Sequence, residues 1–226
     1  MENTVLFEDN HLIAVLKKSG DISQSDKTGD IPINEKIKAY LKLKYNKPGN
    51  VYLGLIHRLD RPVSGVMLFA KTSKASARMS EIIKTRAFKK IYWAVVKNAP
   101  LKTEDTLEDY LLKDEKKNKS FIVSKDKANA KQAVLHYKHI ASSDTYHLLE
   151  VELETGRHHQ IRAQLAHIGC AIKGDLKYGF SRSNPDGSIH LHAYSISFKH
   201  PISKVDIYIK ALPGEDPVWN ALISNI

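Results

Sequence analysis

A single cysteine, Cys170, in 226 residues rules out an internal disulfide and a cysteine-built zinc cluster. Metal-ligand spacings are missing too: the eleven histidines include His158-His159 and the pair His190 and His192, but no His-Glu-x-x-His. No glycine loop of the G-x-G-x-x-G or G-K-S/T type occurs, so Gly29 belongs to no phosphate cradle. Ser64 lacks the glycine two residues earlier that a nucleophile elbow uses. Nucleotide-cofactor, metal and serine-hydrolase chemistry are therefore poor readings. No apolar run approaches the roughly 20 residues of a membrane helix. At residues 1–7 the apolar run is short and crowded by Glu2, Glu8 and Asp9, unlike a signal peptide. These features point to a cytoplasmic protein.

What is abundant is positive charge, with 35 Lys and Arg against 25 Asp and Glu for a formal net charge of +10. Such a balance favours polyanionic partners, because phosphate contacts release condensed counterions. A solvated basic surface accounts for the charge equally well. The 42% hydrophobic and 27% charged residues are those of a globular protein. At this length roughly 70% of the unfolded surface is buried on folding, enough for an ordinary core.

Periodicity predicts strands at Val5–Phe7, His11–Lys17, Val66–Ala70, Lys90–Val96, Ala133–Ile140, Tyr146–Glu154, Leu191–Phe198 and Val205–Ile209. Helical spacing is seen in Ile33, Ile37, Tyr40, Leu41 and Lys44, ended by Lys47-Pro48-Gly49, and again over Ser73–Thr85 and Pro217–Ile223. His158–Ile168 reads as a helix with Ile161, Leu165 and Ile168 inward and Gly169 as its C-terminal cap. Ser19–Ile31 reads as a loop, and the lysine-dense Lys113–Lys131 as a hairpin with a charged, mobile connection. One α+β domain over residues 1–226, with a central mixed, mostly antiparallel sheet flanked by helices, is the expected fold.

Two clusters carry chemistry. In His57-Arg58-Leu59-Asp60-Arg61-Pro62-Val63-Ser64-Gly65 one acid lies between two arginines on a loop leading into a buried strand, well placed to meet a substrate. Neighbouring cations favour the ionised carboxylate, although spacing alone fits a surface ion-pair turn as well. In Thr155-Gly156-Arg157-His158-His159-Gln160-Ile161-Arg162, Thr155 is suited to cap the following helix, whose free N–H groups attract phosphate. Arg157 and Arg162 add guanidinium forks. A basic helix face turned to water is the competing reading. Lys90-Ile91-Tyr92-Trp93 offers aromatic surface for a base, though strand aromatics also serve as core.

Taken together, these segments resemble the RluA-type family of RNA pseudouridine synthases. His57–Gly65 matches the family's His-Arg-Leu-Asp followed by Ser-Gly, Lys90 and Tyr92 match its Lys-x-Tyr, and Thr155–Arg162 matches its Thr-Gly-Arg-x-His-Gln-Ile-Arg. Ile172–Tyr178, with Gly174-Asp175, and Leu191-His192-Ala193 are also similar to family segments. The sequence departs where the family's early Asn-Lys-Pro-x-Gly appears as Lys17-Lys18-Ser19-Gly20, and at Val63, Gln164 and Ala171. The chain begins directly with catalytic-domain sequence, without the ribosomal-protein-like RNA-binding domain of many relatives.

The resemblance implies isomerisation of uridine to pseudouridine in ribosomal or transfer RNA, with no cofactor and no metal. Asp60 is then the catalytic carboxylate, attacking C1′ or removing the C2′ proton. Arg162 matches the position that pairs with that carboxylate, Tyr92 the aromatic stacked on the uracil, and Leu191 the apolar residue on the opposite side of the base pocket. Arg58 and Arg61 are candidates for the flipped nucleotide's phosphates, and Arg157 for further backbone contact. Lys84–Lys97 and Lys113–Lys131 offer basic groups for the rest of the RNA. An inactive RNA-binding protein of the same fold is the alternative, and a hydrolase built on Asp60 and His57 a distant third. Nothing in the sequence demands more than a monomer.

Overall fold

Unbroken apolar runs mark strands covered on both faces, and two such runs form the centre of the first half of the chain. In a computed structural model describing residues 4–25 and 29–226, the chain divides into two compact units. One comprises residues 1–90 and 193–212, the other residues 91–192 and 213–226.

In the first unit, β2 (Leu12–Lys17) lies antiparallel to β4 (Ser64–Ala70), in register from Leu12 opposite Ala70 to Lys17 opposite Gly65. β1 (Val5–Glu8) extends the sheet beyond β2, and the two-residue β3 (Gly54–Leu55) pairs with the end of β4. On the other side of β4 comes β10 (Leu191–Lys199), whose residues from 193 onward belong to this unit, followed by β11 (Asp206–Lys210). Two helices complete the unit, α1 (Ile33–Lys44) and α2 (Ser73–Lys84). Leu12, Ala14, Val66 and Leu68 pack with Met79 of α2 and with Phe88, Phe198 and Ile209. Each such large side chain contributes about 1.5–3 kcal/mol on burial. The Thr72 hydroxyl accepts the Ala75 N–H at 3.1 Å and caps α2.

In the second unit the strand order is β5 (Lys89–Val96, from residue 91), β9 (His147–Leu153), β8 (Lys131–Ser142), β6 (Glu104–Asp114) and β7 (Lys119–Val123). Their pairings are antiparallel. Leu111, Ala133, Ala163 and Tyr178 form a small core there with α3 (Gln160–His167). The terminal helix α4 (Pro217–Ile223) buries Trp219 and Leu222, and the Asp216 carboxylate accepts the N–H groups of Val218 and Trp219 at its start. The whole is α+β, as expected, and no helix among the described residues is long and apolar enough to cross a membrane.

Three expectations need correction. Strand β6 has no counterpart in the periodicity, because its buried residues are Leu107 and Leu111, four apart. The inward position between them holds Asp109, whose carboxylate accepts a hydrogen bond from Gln164 at 2.8 Å. A helix-like spacing thus lies on a strand held by its ladder to β8. The helix expected over 158–168 begins only at Gln160, because His159 takes a left-handed φ of 54°. Thr155 does not cap it; its hydroxyl accepts the Val134 N–H and donates to Gln160 Oε1 at 2.8 Å each. The lysine-dense segment extends the hairpin further back than expected, pairing β6 with β7 across residues 115–118. Of the expected loop at 19–31, residues 26–28 lie outside the described residues, as do residues 1–3 of the expected non-signal start.

Gly65 lies at a tight passage of the chain. Its φ is +127°, and a Cβ placed there would lie 2.4 Å from both the N and the O of Ala193. Gly65→Ala is expected to destabilise the protein by about 3 kcal/mol or more, from combined overpacking and backbone strain, as read from the urea midpoint.

Candidate active site

A loop that must present a carboxylate needs its own backbone groups satisfied first. For residues 57–63 the satisfying group is an ammonium. Lys17, at the end of β2, has no exposed surface, and its Nζ donates to the carbonyls of Lys18 (3.0 Å), Arg61 (3.2 Å) and Val63 (2.6 Å). Burial pushes this ammonium down to about 8, while the Asp21 and Asp60 carboxylates act to keep it charged. The loop at 19–23 adds further ties. The Gly20 N–H donates to the Arg61 carbonyl at 2.9 Å, Ser19 Oγ to that of Pro62, and Ser23 Oγ to that of Leu59 at 2.7 Å. Inside the loop the Val63 N–H donates to the Asp60 carbonyl at 3.1 Å, turning the chain tightly after Asp60. Asp60 itself is half-buried and Arg58 exposed. Arg61 is exposed and pairs with Asp30 at 2.5 Å, an exposed ion pair that contributes little stability.

His57 has a structural task. Its Nε2 accepts the Leu68 N–H of β4 at 3.1 Å, and its ring tilts on Phe88 with centroids 5.5 Å apart. Burial, with the Lys90 ammonium adding to it, lowers His57 to about 3. A neutral ring accepting at Nε2 carries its proton on Nδ1, which is sealed from solvent and has no hydrogen-bond partner among the described residues. The Asp60–His57 hydrolase reading therefore loses its base: the nitrogen that would serve is turned to the backbone.

In the second unit the other matched motif forms a polar knot. Gln160 Oε1 accepts from Thr155 Oγ1 and from the Arg157 N–H, while its Nε2 donates to the Val134 carbonyl. Arg157 is exposed, with its Nε on the Gln132 carbonyl at 2.8 Å. Arg162 is 5% exposed and its fork grips Asp175, with Nε to Oδ2 at 2.6 Å and Nη2 to Oδ1 at 2.8 Å. The guanidinium also lies 5.1 Å from the centre of the Tyr178 ring. The Tyr178 hydroxyl accepts the Ser120 N–H at 2.9 Å and meets His159 Nδ1 at 3.0 Å. His159 is stacked on His158 at 3.7 Å, and burial plus the Arg162 cation lowers it to about 2.

Tyr92 (7% exposed) and Leu191 (4% exposed) are buried on β5 and at the start of β10, both in this second unit. Trp93 is core, as strand aromatics usually are, with its Nε1 near Glu150. A concavity of about 380 Å³ in the same unit contains none of these residues. It is lined by Glu104, Asp105, Glu150 and Glu152 together with His136 and Lys138. Sequence reasoning missed Lys17, Asp175 and Tyr178 as site supports. A buried lysine closing an apolar strand was the available signal for the first; the spacing of Asp175 and Tyr178 names no partner.

Residues 11–167 match the family model described as RNA pseudouridylate synthase. A tRNA pseudouridine synthase C from Pectobacterium carotovorum subsp. carotovorum is 30% identical over 97% of this chain and 61% of its own length. A ribosomal large subunit pseudouridine synthase C from Rickettsia prowazekii is 32% identical over 92% of this chain and 67% of its own. The chain thus spans about two thirds of these relatives. Among solved structures, human RNA pseudouridylate synthase domain containing 4 superposes with a TM-score of 0.79 at 22% identity, covering 97% of this chain and 91% of that one. At that identity the likeness speaks for the fold.

Lys17→Met keeps the length of the side chain but takes the ammonium from three carbonyls. Those of Arg61 and Lys18 keep a backbone N–H, that of Val63 loses its 2.6 Å donor, and a loss of about 1–3 kcal/mol in urea denaturation is expected. Acid should destabilise as well. His57 and His159 have folded values below the unfolded 6.5, so the unfolded chain takes up their protons first. Unfolding free energy is therefore expected to fall as pH drops from about 6.5 toward 3, with a shallower fall in His159→Gln; a flat profile would contradict the neutral burial of both rings.

Proposed function

The chain belongs to the RNA pseudouridylate synthase family, and from that premise we propose that it isomerises uridine to pseudouridine within ribosomal or transfer RNA. The observation that carries the proposal is the Asp60 loop. A carboxylate stands on a tight turn whose neighbouring carbonyls are drawn onto the buried Lys17 ammonium. Such a loop is preorganised, so little ordering remains to be done when substrate arrives.

The reaction breaks the bond between uracil N1 and ribose C1′, turns the base, and rejoins it to C1′ through C5. The proton on C5 is lost to solvent, N1 gains one, and no electrons are exchanged with a second reactant. Asp60 acts as the carboxylate, either as nucleophile at C1′ or as base at C2′. Arg162 supplies the steadying cation. Its bidentate grip on Asp175 fixes the orientation of the guanidinium plane. Tyr92 and Leu191 provide the aromatic and aliphatic surface for the base, and Arg58, Arg61 and Arg157 contacts to the backbone. Extruding a nucleotide from its stack costs a few kcal/mol, which such contacts offset. The whole chain serves as one catalytic domain, working in the cytoplasm as a monomer.

The test is tritium release from transfer and ribosomal RNA carrying 5-³H-uridine. Wild type is expected to release tritium from one of them. Asp60→Asn should slow release by about 10⁴-fold while RNA affinity stays within a few-fold. Substantial turnover by the variant would remove Asp60 from its role, and binding without release by wild type would identify an inactive RNA-binding protein instead.

A further inference from the structure

Strand β7 is the last in its run of strands, and its two faces differ sharply. On the inner face Ser120 is buried; its hydroxyl meets His158 Nδ1 at 2.9 Å and its N–H meets the Tyr178 hydroxyl at 2.9 Å. Ile122 packs inward against the core formed by Leu111, Ala133, Ala163 and Tyr178. On the outer face Phe121 stands opposite Leu112, and Val123 opposite Tyr110. Phe121 is 38% exposed, although the pairing would equally accommodate a polar residue there. Two ammonium groups lie by its ring, Lys117 Nζ at 5.7 Å and Lys119 Nζ at 5.3 Å from the centroid. Residues 113–131 hold seven lysines against three acids. Two of those acids are engaged locally, Glu115 with Lys113 at 2.5 Å and Asp114 with the Lys117 N–H at 3.0 Å.

We infer that the outer face of the β6–β7 hairpin is a docking surface for unpaired RNA, with Phe121 as a stacking platform for one base and Lys117 and Lys119 as contacts for the flanking phosphates. An exposed aromatic ring between cations suits a single strand, whose bases offer free π-faces, and suits a duplex poorly, because its bases are already stacked. The inner-face ties matter equally. Ser120 fastens the strand to Tyr178 and His158, so a nucleotide held on Phe121 has a fixed register with Arg162, two hydrogen-bonded or stacked neighbours away. This surface would select RNA that offers an unpaired nucleotide at that register. The inference rests on the proposed activity, which supplies the RNA.

The test is fluorescence anisotropy on the full chain with labelled oligouridylate of about twelve nucleotides, and with a paired RNA duplex of the same length. Phe121→Ala is expected to weaken oligouridylate binding about tenfold and duplex binding hardly at all, with Phe121→Trp restoring it. Lys117→Gln combined with Lys119→Gln should lower the slope of log affinity against log salt by about 1.4. Unchanged oligouridylate binding by Phe121→Ala, or equal losses on both RNAs, would overturn the docking surface. A tritium-releasing wild type with unaffected Phe121→Ala binding would sink this inference alone. Phe121-dependent binding with no tritium release from any RNA would sink the activity and leave the surface standing.

Discussion

A lysine ammonium with no exposed surface organises the segment on which the proposed chemistry depends. The hydrogen bonds of Lys17 go to three main-chain carbonyls, two of them in the turn after Asp60. Carbonyl dipoles hold the charge without neutralising it, so the positive field persists around the turn and favours an anion nearby. Asp21 and Asp60 feel that field, as the upward pull of both carboxylates on the Lys17 ammonium shows. The loop's shape and its electrostatic character thus have one source. Replacing the cation by an apolar residue would lose both, which sets this lysine apart from ordinary core.

The second unit uses a different device. Its arginine is buried with a matched carboxylate, and a buried ion pair contributes little net stability, since desolvating both groups offsets their attraction. What the Arg162–Asp175 fork provides is direction. Two parallel N–H bonds fix the guanidinium plane, and the Tyr178 ring covers one side of it. Around it Gln160 ties Thr155, the Arg157 N–H and Val134 together. A polar network this fully satisfied behaves as rigid structure.

Legibility in the sequence followed the nature of the signal. α4 was readable to the residue, because Asp216 caps it, Pro217 starts it and Trp219 and Leu222 share a face. β2 and β4 were readable as apolar runs. β6 was not, because Asp109 occupies an inward position between Leu107 and Leu111, and only its contact with Gln164, 55 residues away, makes that tolerable. The start of α3 was misplaced for a similar reason: the left-handed His159 is stabilised by Tyr178 and His158, which local propensity cannot reveal. Asp60 and Arg162 were identifiable as motif members. Their supports are harder to read: Lys17 closes an apolar strand, but its partners Arg61 and Val63 lie 44 and 46 residues on, and the spacing of Asp175 does not name Arg162 as its partner.

The carboxylates lining the concavity at Glu104, Asp105, Glu150 and Glu152 have a consequence for encounter. A net charge of +10 describes the molecule seen from afar, but within a Debye length, about 8 Å in physiological salt, a polyanion feels local sign. That face of the second unit repels phosphates, while the lysines of the β6–β7 hairpin attract them. Toward a polyanion the unit is therefore an oriented dipole rather than a sticky sphere. Wrong-way collisions are shed before they become complexes, and the fraction of encounters that arrive correctly turned rises without any added contact.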